Sequence, residues 1–426
     1  MSPSPSKSRI RRLAAGRLIS VTGGAAAYTA LNFTVWERTH SPGMQALSLL
    51  LTFGVAGILG PFTGVLGDRY DRRKVMVWSE AVSAAVFAAM ALFVHTPVIL
   101  ISLAFVSAVA EQPFFSASRA AIPNLVEDPN DLSWANSLVT IGVHSGIAIG
   151  PVIGGVLLAT VGASWVFWIN AATFLLSVVL TLSVSGSFQR HRAIDEHHDD
   201  HRGLAAGLVF LWRDRVLRRM TTAWLVFVLG MGMGMVADAP LAESFGAGAV
   251  GFALMITCWG TGSVVGSAAG RWMTPRTEPI WLVAGAFGVS AAAFGVGLLP
   301  LFPLILVALF LMGTSDGFTI VSENGIMQRR TPDAVRSRTT AAFEAVLSFG
   351  LALAYLMAGP ALRLLGPQGV YLLGGISAGL AALTLVPLLR LRHEEVARAG
   401  AGDASERGFT SAADLESAMP VPEPSA

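Results

Sequence analysis

The sequence predicts an all-α membrane protein of twelve transmembrane helices in two pseudo-symmetric six-helix bundles, and three observations carry that expectation. Of 426 residues 53% are hydrophobic and only 13% charged, whereas a water-soluble domain carries about a quarter charged residues. Apolar stretches of roughly 20 residues recur from end to end, each long enough to cross about 30 Å of hydrocarbon as a helix. The two halves also resemble each other at an offset of about 203 residues, the mark of a duplicated bundle.

Spans are read near 13–36, 43–66, 75–95, 97–118, 134–160 and 163–185, then near 220–242, 248–270, 279–299, 301–325, 339–362 and 369–391. Each is continuously apolar rather than alternating over about ten residues, which argues against a membrane barrel. The first is too long for a cleaved signal, and no A-x-A-like site follows it. Between the halves lies 186–219, where Leu204, Leu208, Leu211 and Trp212 among Arg213, Arg215, Arg218 and Arg219 read as an amphipathic helix on the inner leaflet. The expected order is a tail 1–12, a bundle 13–185, this linker, a bundle 220–391 and a disordered tail 392–426.

Orientation follows from short-loop Lys and Arg, which stay on the cytoplasmic side. With the N-terminus inside, Lys7 to Arg17, Arg69 to Lys74, Arg119, the 190–219 connection, Arg271, Arg276, Arg329 to Arg338 and the tail fall inside, while Arg38 and Arg363 face out. A cytoplasmic-membrane protein with both termini cytoplasmic is expected. The repeat shows in Gly64 to Arg69 against Gly266 to Arg271, and in Pro129 to Leu132 against Pro332 to Val335.

Two motifs carry mechanism. In the loop Gly64, Asp68, Arg69, Asp71, Arg72, Arg73, the acid Asp68 sits at a helix C-terminus whose dipole disfavours it, while the arginines suit that end. Asp68 therefore seeks a partner, and the eleventh span, starting near Arg338, offers a positive N-terminus as a cytoplasmic latch; a purely topogenic basic loop is the alternative. In the fifth span Gly146, Gly150 and Gly154 recur at i+4 on one face and can pack backbone to backbone. Pro151 removes a helical donor and should kink that helix, and Gly155 extends the motif. The plain alternative is a packing seam.

The loop resembles that between helices two and three of the major facilitator superfamily, and the fifth-span motif resembles the signature of its antiporter members. The resemblance covers residues 10 to 392. Leu18 to Ser20 and Arg119 to Leu125 are similar to the macrolide-efflux and enterobactin-exporter branch of its drug:proton antiporters. It implies alternating access and a cavity lined by helices one, four, seven and ten. Where those relatives carry an acid after the first glycine of helix one, Gly24 follows Gly23 here, so a proton site is sought elsewhere.

Ionisable residues in hydrocarbon demand a reason. Glu111, Asp238 and Asp316 fall on spans four, seven and ten, with Asn32 on span one, and are the candidate proton and substrate site; a carboxylate merely hydrogen-bonded between helices is the alternative. Glu80, Glu323 and Glu344 are read as gate acids pairing with Arg69, Arg72, Arg73 or Arg336. His144 reads as a neutral, hydrogen-bonded histidine. The His/Asp-rich stretch 191–201 matches no zinc spacing and reads as a solvated linker.

No phosphate loop, catalytic triad or metal cluster is seen, so neither enzyme chemistry, a cofactor nor a nucleic-acid partner is expected. The lone cysteine, Cys258, excludes an intramolecular disulfide. Energy then comes from a gradient, with about 2.3 kcal/mol per proton falling through 100 mV. The partners expected are protons, a small-molecule substrate and the bilayer, with the chain a monomer. The function expected is multidrug or antibiotic efflux by proton antiport, the alternatives being export of one siderophore or lipid-like metabolite, or a non-transporting receptor or scaffold.

Overall fold

The computed structural model describes residues 5–56, 58–59, 70–126, 128, 131–186, 188, 200–332 and 335–390. Among them every regular element is helical: α1 (Pro5–Thr39), α2 (Pro42–Leu49), α3 (Arg72–Leu92), α4 (Pro97–Leu125), α5 (Leu132–Val161), α6 (Ala163–Ser183), α7 (Asp200–Arg213), α8 (Arg215–Ser244), α9 (Gly248–Ala268), α10 (Glu278–Leu298), α11 (Phe302–Arg330) and α12 (Arg336–Leu385). Hydrocarbon dictates this, because a helix closes its backbone hydrogen bonds within itself.

The expected spans map onto these elements with two departures. α1, α3 to α6 and α8 to α11 hold one span each. The second span is seen as α2, a π-helical turn at Leu50–Val55 and the residues up to Leu59. The last two run together in α12, whose 50 residues would reach about 75 Å as one rod, far beyond a bilayer. Gly366 breaks the rod with φ 69° and ψ 173°, a conformation a Cβ disfavours, and Pro367 follows it. Both limbs return to the same face: Ala342 and Phe343 near the start of α12 share an apolar cluster with Leu385 at its end, and with Leu211 and Leu217.

Reversals with positive φ at His40, Gly162, Gly246 and Gly366 mark a distal face, opposite the terminal face where residues 5 and 390 lie. α1 packs on α5 and α6, and α3 on α4 and α6; in the second half α8 packs on α12, α9 on α11, and α10 on both α11 and α12. Two bundles result. They meet toward the distal face, where Phe33, Ala46 and Leu49 share a cluster with Val236, Phe252 and Tyr355.

Each bundle is pinned by a glycine seam. A Cβ on Gly146 would stand 3.0 Å from Thr22 N, one on Gly150 2.7 Å from Thr22 O, and one on Gly154 2.6 Å from Ala26 Cα. The glycine face of α5 therefore packs on α1 of its own bundle; Gly155, one residue on, meets Ala253 of α9 across the two bundles. α5 stays helical through Pro151. In the second bundle Gly262 and Gly266 of α9 abut the backbone of Phe310 and Thr314, while Gly313 and Gly317 of α11 abut that of Trp259 and Ser263.

The linker helix α7 seats Gly207 on the backbone of Arg338 and buries Leu211 against α12, while Trp212 stays 45% exposed. It ends at Asp214, whose carboxylate caps α8 through Val216 N at 2.9 Å and Leu217 N at 2.8 Å. The stretch 189–199 and the tail 391–426 lie outside the described residues.

Candidate functional site

In the first bundle Glu111, on α4, accepts hydrogen bonds from Ser107 Oγ at 3.0 Å and Tyr28 Oη at 3.3 Å. Tyr28 projects from α1, so this bond ties the two helices. One turn back on α1, a Cβ at Gly24 would meet nothing within 4 Å, so open space adjoins this position.

Two residues sit deeper than the sequence reading has them. Glu80 is 2% exposed and accepts from Ser177 Oγ at 2.6 Å. It is not at the terminal face beside Arg72 and Arg73: Arg72 donates to Ala120 O at 2.9 Å and Arg73 to Leu182 O. Arg17, counted among the inside-facing loop charges, is 5% exposed and lies over the rings of Phe114 and Phe115 at 4.8 and 4.6 Å. It interacts electrostatically with both Glu80 and Glu111.

The second bundle holds its acids differently. The Asp238 carboxylate accepts the Tyr371 hydroxyl from the second limb of α12. Asp316 is buried on α11, and Glu323, seven residues on, interacts with it electrostatically. Glu323 is half-buried and Glu344 is exposed on α12, while Arg336 donates to Gln328 O and Thr331 O at 3.3 and 3.2 Å, closing the turn between α11 and α12. Asn32 accepts from the Gln45 side chain, so it stitches α1 to α2 near the distal face.

Of the first-half loop, Gly64, Asp68 and Arg69 lie outside the described residues, as does the side chain of His144. Asp71 caps α3 by accepting from Lys74 N at 3.0 Å. Two terminal-face pairs went unread in the sequence: Arg330 grips Asp214 through Nε and a terminal nitrogen at 2.9 to 3.2 Å, and Arg329 pairs with Glu278. On the distal face Glu243 of α8 accepts the Trp36 indole N–H and lies 3.5 Å from His40 Nδ1, joining the two bundles. Glu243 gave no signal because it sits at a wetted helix end, where acids are common.

Comparison with known proteins places this geometry in context. The family model described as Major Facilitator Superfamily matches residues 13–354 and 239–417. The chain is 25% identical over 383 residues to the enterobactin exporter EntS of Escherichia coli K12, covering 88% of this chain and 91% of that one. It is 26% identical over 327 residues to that of Shigella boydii, covering 76% and 77%. Among solved structures, a bacterial homologue of the iron transporter ferroportin superposes with a TM-score of 0.73 at 14% identity, covering 89% of this chain and 98% of that one. The nucleoside transporter NupG superposes at 0.68 and 14%, covering 90% and 100%.

Proposed function

The chain belongs to the Major Facilitator Superfamily, and on that premise we propose that it exports small amphipathic or cationic molecules by proton antiport and alternating access. One observation carries the reading: Glu111, Asp238 and Asp316 are held inside the bundles on spans four, seven and ten, the helices the family resemblance sets around the cavity. A carboxyl in hydrocarbon is costly when charged. It therefore takes a proton or a cation, and a cationic cargo and a proton exclude each other there.

With both termini cytoplasmic, the distal face is the outer one. The contacts of Gly155 with Ala253, and of Phe33 with Phe252 at 5.9 Å between ring centroids, then form an outer gate, and cargo enters from the cytoplasm. The Gly64 to Arg73 loop is the matching inner latch, and one chain is the working unit. A proton entering through 100 mV releases about 2.3 kcal/mol, enough for roughly fiftyfold accumulation of a neutral cargo.

The test is a screen of dyes and antibiotics on proteoliposomes with an imposed pH gradient. Efflux should follow the gradient and vanish in Asp316→Asn and Glu111→Gln. Flux indifferent to the gradient, or unchanged in both variants, sinks the coupling. A narrower cargo, a siderophore, is favoured by the enterobactin exporters among the relatives. Build-up of one endogenous chelator in a deletion strain would select it over general drug export.

A further inference from the structure

Arg17, Glu80 and Glu111 come from α1, α3 and α4 and share one interior. Arg17 is 5% and Glu80 2% exposed, and each keeps a buried polar atom, Arg17 Nε and Glu80 Oε2, without a hydrogen-bond partner. The guanidinium is held between two phenyl rings rather than against either acid, and it acts on both. Glu80 is steadied by Ser177 of α6, and Glu111 by Ser107 and Tyr28.

The guanidinium keeps its charge at every physiological pH. With both acids ionised the cluster would carry one net negative charge in hydrocarbon, which is strongly penalised. A single proton on either carboxyl restores neutrality. Of the other charges nearby, Arg119 on α4 also acts on Arg17 but is exposed, so water and salt screen it, and Arg72 and Arg73 at the start of α3 are engaged by the carbonyls of Ala120 and Leu182; the buried count stays with Arg17 and the two acids. Tyr28 is a neutral donor, α6 carries no titratable side chain, and the one on α5, His144, lies outside the described side chains.

We propose that this cluster is a single-proton exchange site, in which Glu80 and Glu111 share one proton around Arg17 as the positioning residue. It deepens, and rests on, the proton-coupled reading above, and it makes Glu80 a proton carrier. Transfer breaks an O–H bond on one carboxyl and forms one on the other, leaving the charge at zero. Release to water leaves the negative charge that a cationic cargo offsets.

The experiment is a pH titration of the full-length protein in lipid vesicles, read by the infrared C=O band of protonated carboxyl groups. Glu80→Gln and Glu111→Gln should each remove the whole contribution of the pair, because the remaining acid then balances Arg17 without a proton. Arg17→Gln should raise that contribution to two carboxyls, and Arg17→Lys should restore one. A glutamate variant that leaves the band unchanged, or losses of half a carboxyl in each, would overturn the proposal. Should Arg17→Gln fail to fold, the two glutamine variants, which keep side-chain shape, and Arg17→Lys decide it. The titration uses no cargo, so its outcome and that of the transport screen fail separately: gradient-driven export with a band insensitive to Glu80 sinks this site and leaves export standing.

Discussion

In the first bundle the buried base lies in the interior, Arg17 among Glu80 and Glu111, while the terminal face carries a wetted pair, Lys7 and Asp131 at 3.2 Å with side chains 41% and 26% exposed. In the second the order is reversed. Asp238 and Asp316 meet a tyrosine and another acid inside, and the sheltered ion pairs, Arg330 with Asp214 and Arg329 with Glu278, stand at helix ends. Both bundles nonetheless repeat the same kind of glycine seam. The glycines close different helix pairs, α5 on α1 in the first bundle and α9 on α11 in the second, and the two interiors differ in charge. One interior sets a fixed cation among its acids, while in the other Asp238 meets a tyrosine and Asp316 a second acid, so the halves should answer differently to a proton or a cationic ligand.

Three pairs of substitutions sharpen or break that contrast. The largest effect belongs to Asp214→Ala, which takes the paired carboxylate from Arg330, 9% exposed, and uncaps α8, at a cost of about 3–5 kcal/mol. Lys7→Ala in the first bundle should cost under about 1 kcal/mol. Unfolding in mixed micelles reads both, and equal losses would erase the asymmetry of the terminal face. Next, Gly150→Val and Gly266→Val should each cost about 1–3 kcal/mol by overpacking. A seam that tolerates valine in one bundle alone would show that the two are not equally tight. The smallest effect separates the tyrosines. Tyr371→Phe removes a donor from Asp238 and should cost about 1–2 kcal/mol, and Tyr28→Phe about 0.5, since Ser107 still donates to Glu111. The same micelle assay, with the order reversed, would place the stronger acid anchor in the first bundle.

The spans were legible because hydrocarbon forces about 20 apolar residues per crossing. Helix ends were not, since a helix continues past the hydrocarbon: α1 starts at Pro5 where the first span was set at 13. Arg17 was counted with the terminal-face charges although the span read at 13–36 already held it, because a charge near a span end is ordinarily wetted. Glu80 was misplaced for a related reason. Counting from Arg72 puts it near the end of a span, yet eight residues of helix carry it about 12 Å inward. The glycine face of α5 was visible in its i+4 spacing. Its partner, α1 and not the other bundle, was not, because periodicity names a face and tertiary packing names what covers it. The turn inside α12 was legible, since Gly366 and Pro367 fall in the gap between the spans read at 339–362 and 369–391, where Arg363 and Gln368 interrupt the apolar run.

That turn also sets what can move. With one left-handed glycine and a ring-locked proline in place of a loop, the two limbs of α12 form a lever with its fulcrum at the distal face. The first limb lays Ala352 on Gly54 and Gly359 on Gly43 across the seam between the bundles, and the second carries Tyr371, the partner of Asp238. Parting the bundles there would tug on the hydroxyl that holds Asp238, five residues from the fulcrum, and would make opening the distal seam and freeing that carboxylate one mechanical event.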